Sequence, residues 1–573
     1  MNFEKHKERI ALLGGGPSAL FIYKRFVETG RTDIEIHIHE SKQLLGAGMP
    51  YSFDGANSEH ITNVSGNEVP EIVTSIQQWI QTVPQGILNG FEIDKKRFND
   101  YKVLPRLLFG QYLSEQFSLL LEKAEKLGLK TIVHLSSKVA DIVDQPGRNI
   151  VQVQIEGGEL HDYERVIVCT GHNWPSKKEG KVPGYFDSPY PPSKLKRTMN
   201  HAVAIRGSSL TAIDAVRTLA RCNGHFEKSE DGKIAYTHHI GSEDFRMVMH
   251  TRSGMLPAIR FHLEDPLLST ESLLTKQQLA AHMASNEGFV SLDYIFEKGF
   301  KDLIKDKDPT LYGFIQEMKM EEFVGLMMDR REKVEPFTLF RAEYLQAEQS
   351  IKKQESIHWK EVLAILSFVM NYPAKYLSAE DMIRMQNMLL PLISIVIAFV
   401  PQGSAQELLA LQEAGKLEIV TVDADSQVVP QENGGIIYHY TEEQGAYQEV
   451  YFSTFVDCIG QPHLNLEDLP FKGLIENKTV SPGRIRFRSE EQAKAMLEKE
   501  PERMEQDIDG TYYLKVSGIT INDNFQVIGS NALANKRIYM MAVPYMGGYN
   551  PDYSGLDFCE QASASIVDHI CHS

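Results

Sequence analysis

The stretch IALLGGGPSAL constrains the fold of this chain more than any other. An apolar run, Ile10 to Leu13, leads into Gly14-Gly15-Gly16. Pro17 stands where a helix begins, and Ala19-Leu20-Phe21-Ile22 continue it. The alternating run IEIHIHE follows and ends in Glu40. Strand, glycine turn, helix, strand and acid, in that order, form the pattern of a dinucleotide-binding unit. Gly14 makes the tight turn, Gly16 lets the backbone approach a pyrophosphate, and Ala19 lets the helix pack close on the strand. Pro17 and Ser18 open the helix whose N-terminal amides face phosphates, and Glu40 accepts from ribose hydroxyls. A glycine string alone is weak evidence. With both strands and the closing acid in place, a glycine-rich turn of some unrelated α/β protein is the lesser reading.

The 573 residues allow two to four domains with ample core. A net charge of −18 argues against nucleic-acid binding and against docking on an anionic membrane. The first apolar run is already the nucleotide strand, so the N-terminus carries no secretory pattern and the expected location is cytoplasmic. The five cysteines are scattered, without a CxxC, which argues against a disulfide framework, a zinc ribbon and a redox-active dithiol, and no metal site is expected. The longest apolar run, LLPLISIVIAFV, is too short for a bilayer and reads as a buried helix.

Beyond Glu40 lies a long loop, SKQLLGAGMPYSFDGANSEHITNVSGNEVP, which holds Gly48, His60 and Asn63. Loops of this length within compact domains are functional or disordered, and its aromatic and apolar residues favour function. Pro105 and Arg106 open a long helix ended by Gly128, and Arg106 is placed to meet a phosphate or a carboxylate. ERVIVCTG reads as a buried strand ending in Thr170-Gly171, which closes the first nucleotide unit. The opening pattern then returns in HAVAIRGSSLTAIDAVRTLA, with the turn Gly207-Ser208-Ser209 and Ala212 in the third small position. RMVMHTRSG supplies the following strand, and Arg252 stands near the place that Glu40 holds in the first unit. Two such units imply two dinucleotide sites, the second degenerate because Ser209 replaces a glycine. A second unit kept for packing after losing its ligand is the alternative.

The pattern predicts an α/β protein of two Rossmann-like dinucleotide-binding domains with a helical insertion. On the family resemblance set out below, residues 1–175 are the first part of an FAD-binding domain, and 193–257 with 416–462 an NAD(P)-binding-like domain. A Met- and Leu-rich helical cap spans 258–415, and 463–573 return to the FAD-binding domain, with NFQVIGSNA as a strand ending at Gly529. A terminal helix near Leu556, preceded by Tyr549-Asn550-Pro551-Asp552-Tyr553, closes the chain.

These stretches resemble the bacterial FAD/NAD(P)-binding proteins of the two-dinucleotide-binding superfamily, a group that includes flavin-dependent urate hydroxylases. They are more distantly similar to N-hydroxylating and Baeyer–Villiger monooxygenases. The likeness rests on IALLGGGPSAL with Glu40, on GAGMPYS followed by His60 and Asn63, and on PRLLFGQYL. It extends to GSSLTAID, TRSGMLP and DCIGQP, so it covers most of the chain outside the helical insertion. The departures are Ser209 for a glycine and Ile459 for a threonine.

The resemblance implies an FAD enzyme reduced by NADPH or NADH and acting on a small molecule, with oxygen inserted from the reduced flavin in a water-poor pocket. It places His60 and Asn63 at the flavin's reactive edge, with bracing of the long loop as the alternative, above all for His60. It also implies that the terminal helix aims its N-terminal dipole at the flavin's pyrimidine end. A dehydrogenase or oxidase without oxygen insertion, and a non-catalytic FAD-containing sensor with an unknown protein partner, stay open. For Arg252, charge-assisted bonds to a 2′-phosphate favour NADPH over NADH.

Overall fold

A computed structural model of the chain describes residues 7–171, 174, 176–264, 274–461, 464–549 and 555–573. The expected closing stretch from Asn550 to Tyr553 lies outside these residues.

The apolar run predicted as the first strand forms β1 (Glu8–Leu13), and Pro17 at the first helical position starts α1 (Pro17–Thr29). Gly30, in the left-handed conformation, ends that helix, as a residue without Cβ does at least cost. β2 (Ile34–His39) pairs in parallel with β1, with Ile10 opposite Ile36. The long helix α2 (Arg106–Leu127) leads to β3 (Lys130–His134), and β4 (Arg165–Val168) returns to the other side of β1. Ile10 to Leu13 and Val166 to Val168 are fully buried, as central strands covered on both faces must be.

The second unit repeats this plan. Its strands are β5 (Tyr185–Phe186), β6 (Ala202–Arg206), β7 (Arg246–Thr251), β8 (Leu417–Thr421) and β9 (Thr454–Asp457), with α3 (Leu210–Asn223) after β6. All pairs are parallel, in the order β5-β9-β6-β7-β8. The unit therefore begins earlier than residue 193, because Tyr185 and Phe186 are its edge strand. Near the C-terminus, β10 (Gln526–Ile528) and β11 (Ala534–Met540) complete the first sheet, in the order β10-β11-β4-β1-β2-β3. β11 runs parallel to β4, and β10 antiparallel to β11. The last helix, α4 (Gly555–His572), packs along α1, where Glu560 pairs with Lys24 and Arg25.

Among the described residues, 276–400 hold helices and no strand, as the loss of strand periodicity predicts. The insertion ends sooner than residue 415, however. The helix Gln402–Glu413 packs on β8 and α3 and is the crossover of the second unit. The two ends of the insertion are zipped together: Val400 N–H donates to Ala258 O (2.8 Å) and Arg260 N–H to Val400 O (2.9 Å). Its core, from Leu279 to Val396, is continuous with that of the first unit, while Phe337 and Phe340 reach the core of the second. The run Leu389 to Val400 contains the short helix Leu390–Val396, with Leu392, Ile393 and Val396 buried. Among the described residues no helix is long and apolar enough to cross a membrane.

His250 on β7 sits among Tyr438, Tyr440 and Phe452, with its ring centre 4.2 Å from that of Tyr438. Neither ring nitrogen makes a hydrogen bond with a described residue, and burial lowers its pKa from 6.5 to about 4, against a weaker pull from the backbone of Ile205 and Val248. Below pH 6.5 the unfolded chain takes up a proton that the folded state refuses, so stability falls until the pH reaches about 4. His250→Phe should remove up to roughly 3 kcal/mol of that loss. Denaturant unfolding of both proteins between pH 7.5 and 4 checks it, and parallel pH profiles would refute it.

Candidate functional site

The two glycine turns match bond for bond. Gly14 has φ +109°, its N–H donates to His39 O (2.8 Å), and Cys169 N–H donates to Leu13 O (2.8 Å). Gly207 has φ +113°, its N–H donates to His250 O (2.8 Å), and Cys458 N–H donates to Arg206 O (2.8 Å). A Cβ on Gly14 would lie 2.7 Å from Cys169 O, and one on Gly207 2.7 Å from Cys458 O. Both positions require glycine for backbone angle and for space. Gly16 and Ser209 each cap the following helix with almost the same backbone, φ −81°, ψ −162° and φ −86°, ψ −170°. Any residue adopts these angles, so Ser209 alters the room beside the turn and not the turn itself.

Around the first turn the cradle is close. Gly15 N–H donates to Glu40 Oε2 (2.7 Å), and Lys42 N–H to Glu40 Oε1 (2.8 Å). The loop folds over the turn, with Gly46 N–H donating to Gly15 O (2.7 Å) and Gly48 facing both Gly16 and the Pro17 ring. A Cβ on Gly110 of α2 would strike Tyr51 O at 2.0 Å, which accounts for glycine in the helix start PRLLFG. At the end of β4 the Thr170 hydroxyl is buried and has no hydrogen-bond partner among the described residues, while Gly171 is exposed with open space around it. Ser18 lies half-buried at the start of α1, 3.7 Å from Cys559 of α4, and Ala19 is fully buried. An orphaned hydroxyl, a side-chain-free cradle, a helix N-terminus and an acid after β2 together fit a dinucleotide.

In the second unit Ser208 Oγ lies 2.7 Å from Met255 O and takes the place of the Gly15–Glu40 contact. Ser209 is exposed. Arg252 follows β7 by one residue, as Glu40 follows β2; it is exposed and makes no ion pair with a described residue.

Three expected site residues are placed otherwise. His60 was expected at a flavin's edge, yet its ring is fully buried against α3. Its Nε2 lies 3.1 Å from Thr218 Oγ1 and 3.2 Å from Asp214 O, and its Nδ1 accepts from Asn57 N–H (3.1 Å). Burial holds it neutral, below histidine's ordinary value, and it braces the loop on the second unit. Arg106 was expected to meet a cofactor phosphate or a carboxylate. It meets the carboxylate of Asp214, at 2.6 Å, and Tyr190 OH donates to the same carboxylate (2.7 Å). Burial alone would lower the Arg106 pKa and raise that of Asp214, but each partner's charge outweighs it and both stay ionised. Gly529 follows β10, which runs antiparallel, so it lies beside Ala534 at the sheet end opposite the glycine turn. The chain instead reaches the turn end where Met541 N–H donates to Val168 O (2.8 Å).

Asn63 is half-buried on the short strand Ile61–Ser65. Its backbone carbonyl is held by Arg260, which also donates to Ser65 Oγ (2.6 Å) and pairs with Glu68, while its amide side chain makes no hydrogen bond with a described residue. Residue-type patterns gave no role to Asp214, which closes the motif GSSLTAID, and did not single out Tyr190 or Arg260. The available signal was a charge on the buried face of α3, between Ile213 and Ala215. Asp557, in the first turn of α4, was also missed. Burial pushes its carboxyl up to about 6, helped by the charge of Glu68.

Two sheets of mainly parallel strands, each with a strand, a positive-φ glycine and a helix N-terminus at one end, define a protein with two dinucleotide-binding folds. Residues 11–173 match the FAD-NAD(P)-binding family, and residues 275–397 match the YdhS-like middle domain. The chain is 25% identical over 471 residues to the uncharacterized protein YdhS of Escherichia coli (strain K12), covering 82% of this chain and 86% of that one. Among solved structures, it is similar to the ornithine N-hydroxylase of Kutzneria sp. 744, at 13% identity and a TM-score of 0.44 over 99% of both chains. It is also similar to the FAD-bound cadaverine monooxygenase of Erwinia amylovora, at 11% identity and a TM-score of 0.42 over 99% of this chain and 94% of that one.

Removing one partner of a buried ion pair leaves an uncompensated charge. Asp214→Ala should therefore cost about 3–5 kcal/mol, whereas the double change Arg106→Met with Asp214→Leu should cost much less. Urea midpoints of the three proteins decide this, and a single variant as stable as the double one would count against it.

Proposed function

We propose that the protein is an FAD-dependent oxidoreductase of the monooxygenase type, reduced by NADPH and acting on a small organic molecule. The observation that carries this reading is the repeated turn: two turns of one geometry, of which we assign the first to FAD and the second to a nicotinamide dinucleotide. When bound, FAD supplies the two-electron and oxygen chemistry that side chains lack. The chain's part is to hold and to shield. Gly14 and Gly16 with the amides of α1 hold the pyrophosphate, Glu40 accepts from the ribose, and Thr170 offers its unpartnered hydroxyl. The Gly46–Gly48 loop, pressed on α2, excludes water from the turn. Asn63 supplies a free amide on a strand that Arg260 holds fixed, suited to donating a hydrogen bond at the reacting edge.

Gly16→Val should yield protein without flavin, because a branched side chain enters the space that Gly48 and a pyrophosphate share. The absorbance of purified wild type and variant near 450 nm, roughly the range of an oxidised flavin, reads this out. Colourless wild type that takes up no added FAD would defeat the proposal.

Arg252 gives the donor preference. Its exposed guanidinium suits a 2′-phosphate, at roughly 1.5–3 kcal/mol or about ten- to a hundredfold in affinity. Arg252→Ala should weaken NADPH far more than NADH. Ser209→Gly should strengthen both, since it frees space without changing the backbone. Asn63→Ala should leave reduction intact and slow the later oxygen-dependent step. Anaerobic stopped-flow reduction, followed by mixing with oxygen, tests all three. Equal rates with NADH and NADPH would remove the role of Arg252. The exposed Ser209 favours a second reading, FAD kept without nicotinamide chemistry, and absence of reduction even in Ser209→Gly would select it.

A further inference from the structure

A cavity of about 420 Å³ lies where the helical insertion meets the C-terminal part of the first unit. The insertion contributes Lys375 and Tyr376; the C-terminal part contributes Arg484, Thr520, Asp523 and Tyr549. Its hydrogen-bonding groups are unevenly matched. Asp523 accepts from Tyr372 OH (2.9 Å) and Tyr376 OH (2.8 Å) and pairs with Lys375, so the one carboxylate in the lining already serves three donors. The Thr520 hydroxyl donates to Pro482 O (2.7 Å). Arg484 gives one N–H each to Glu505 and Asp507, both at 3.1 Å, and lies with its face on Tyr513. Those two carboxylates hold the guanidinium without lining the cavity.

Donors remain. An ammonium carries three N–H and a guanidinium five, so Lys375 and Arg484 both have capacity beyond these bonds. The Tyr549 hydroxyl has no hydrogen-bond partner among the described residues: the residue is 3% exposed, and its oxygen lies near Thr520 and the Arg484 backbone without hydrogen-bond geometry to either. A buried hydroxyl without a partner costs free energy unless something else completes it. Lys375 is also largely buried, and burial holds its pKa below lysine's ordinary value despite the pull of Asp523. An anionic acceptor would match both groups.

We propose that this cavity binds a small organic carboxylate, through Lys375, Arg484 and Tyr549, and that this acid is the substrate of the flavin chemistry. The second half rests on the oxidoreductase reading above; the first does not. The helical insertion then has a function of its own: it brings Lys375 to a site that the first unit leaves half-built. Tyr549 closes the described part of the segment that leads from β11 toward α4, so the cavity adjoins the route between the turn end of the sheet and the closing helix.

Calorimetry on the full-length protein as purified, titrated with acetate, benzoate and phenylpyruvate and with acetamide, benzamide and phenylpyruvamide, tests this without relying on flavin reduction. At least one acid should bind saturably, and its amide at least about tenfold more weakly, as loss of a charge-assisted bond implies. Lys375→Gln should weaken that acid about tenfold or more. Tyr549→Phe, which deprives no protein group of a partner and so should fold, should weaken it about fivefold. If no acid binds, if acids and amides bind alike, or if both variants bind the acid as wild type does, the cavity proposal is overturned while FAD content and reduction still stand. If the acid binds as described but the protein holds no FAD, the carboxylate site stands and its redox role falls.

Discussion

The structure depends on one close approach, a glycine laid against the carbonyl that ends the neighbouring strand. At Gly14 that carbonyl belongs to Cys169, and at Gly207 to Cys458, with room for no Cβ in either case. The contact sets where β1 and β6 stop, and hence where α1 and α3 begin and which way their amides point. The distinction between first and third turn positions follows from the same geometry. Gly207 is kept because the backbone demands it. Ser209 is allowed because φ −86° suits any residue. A serine at the third position therefore bears on how a ligand fits and not on whether the unit folds.

The relation between the two units rests on a second interaction. Arg106 comes from the first unit, Asp214 and Tyr190 from the second, and His60 packs beside Arg106 and Asp214. A buried ion pair contributes little net stability, since desolvation offsets its attraction, but misplacing either partner is expensive. Such a pair specifies one arrangement of its elements better than apolar packing does. It holds the loop carrying Asn63 against α3 at a fixed separation. Two bound dinucleotides need that constancy if electrons are to pass between them.

The parts of this fold that local chemistry dictates are the parts legible in the residues alone. The first glycine turn, its flanking strands, the repeat at Gly207 and the helical nature of the insertion all follow from short-range patterns. What was misplaced depends on chain reversals that no local pattern carries. Gly529 looks like the end of a parallel strand, but β10 runs antiparallel and puts it at the far end of the sheet. Arg106 looks like a phosphate ligand because its partner, Asp214, is 108 residues away. The helix Gln402–Glu413 shares its composition with the insertion, and only its packing on β8 assigns it to the second unit. His60 shows the same limit, since a histidine in a functional loop serves equally as donor or brace until its neighbours are known.

The manner of insertion explains how a unit of over a hundred residues can sit inside a nucleotide fold without disturbing it. Its ends meet at Ala258 and Val400, paired through their backbones, so the second unit sees little more than a closed loop between β7 and its crossover helix. The neck is not a hinge, because Arg260, two residues beyond Ala258, reaches back to Ser65, Glu68 and the carbonyl of Asn63. The body of the insertion then shares its core with the first unit, to which it is joined only through the second. Held at its neck by one unit and packed by its body on the other, it spans both. A polar seam such as that between Lys375 and Asp523 can form only where two surfaces are held in this way, since neither unit alone could keep a lysine and an aspartate buried and opposed.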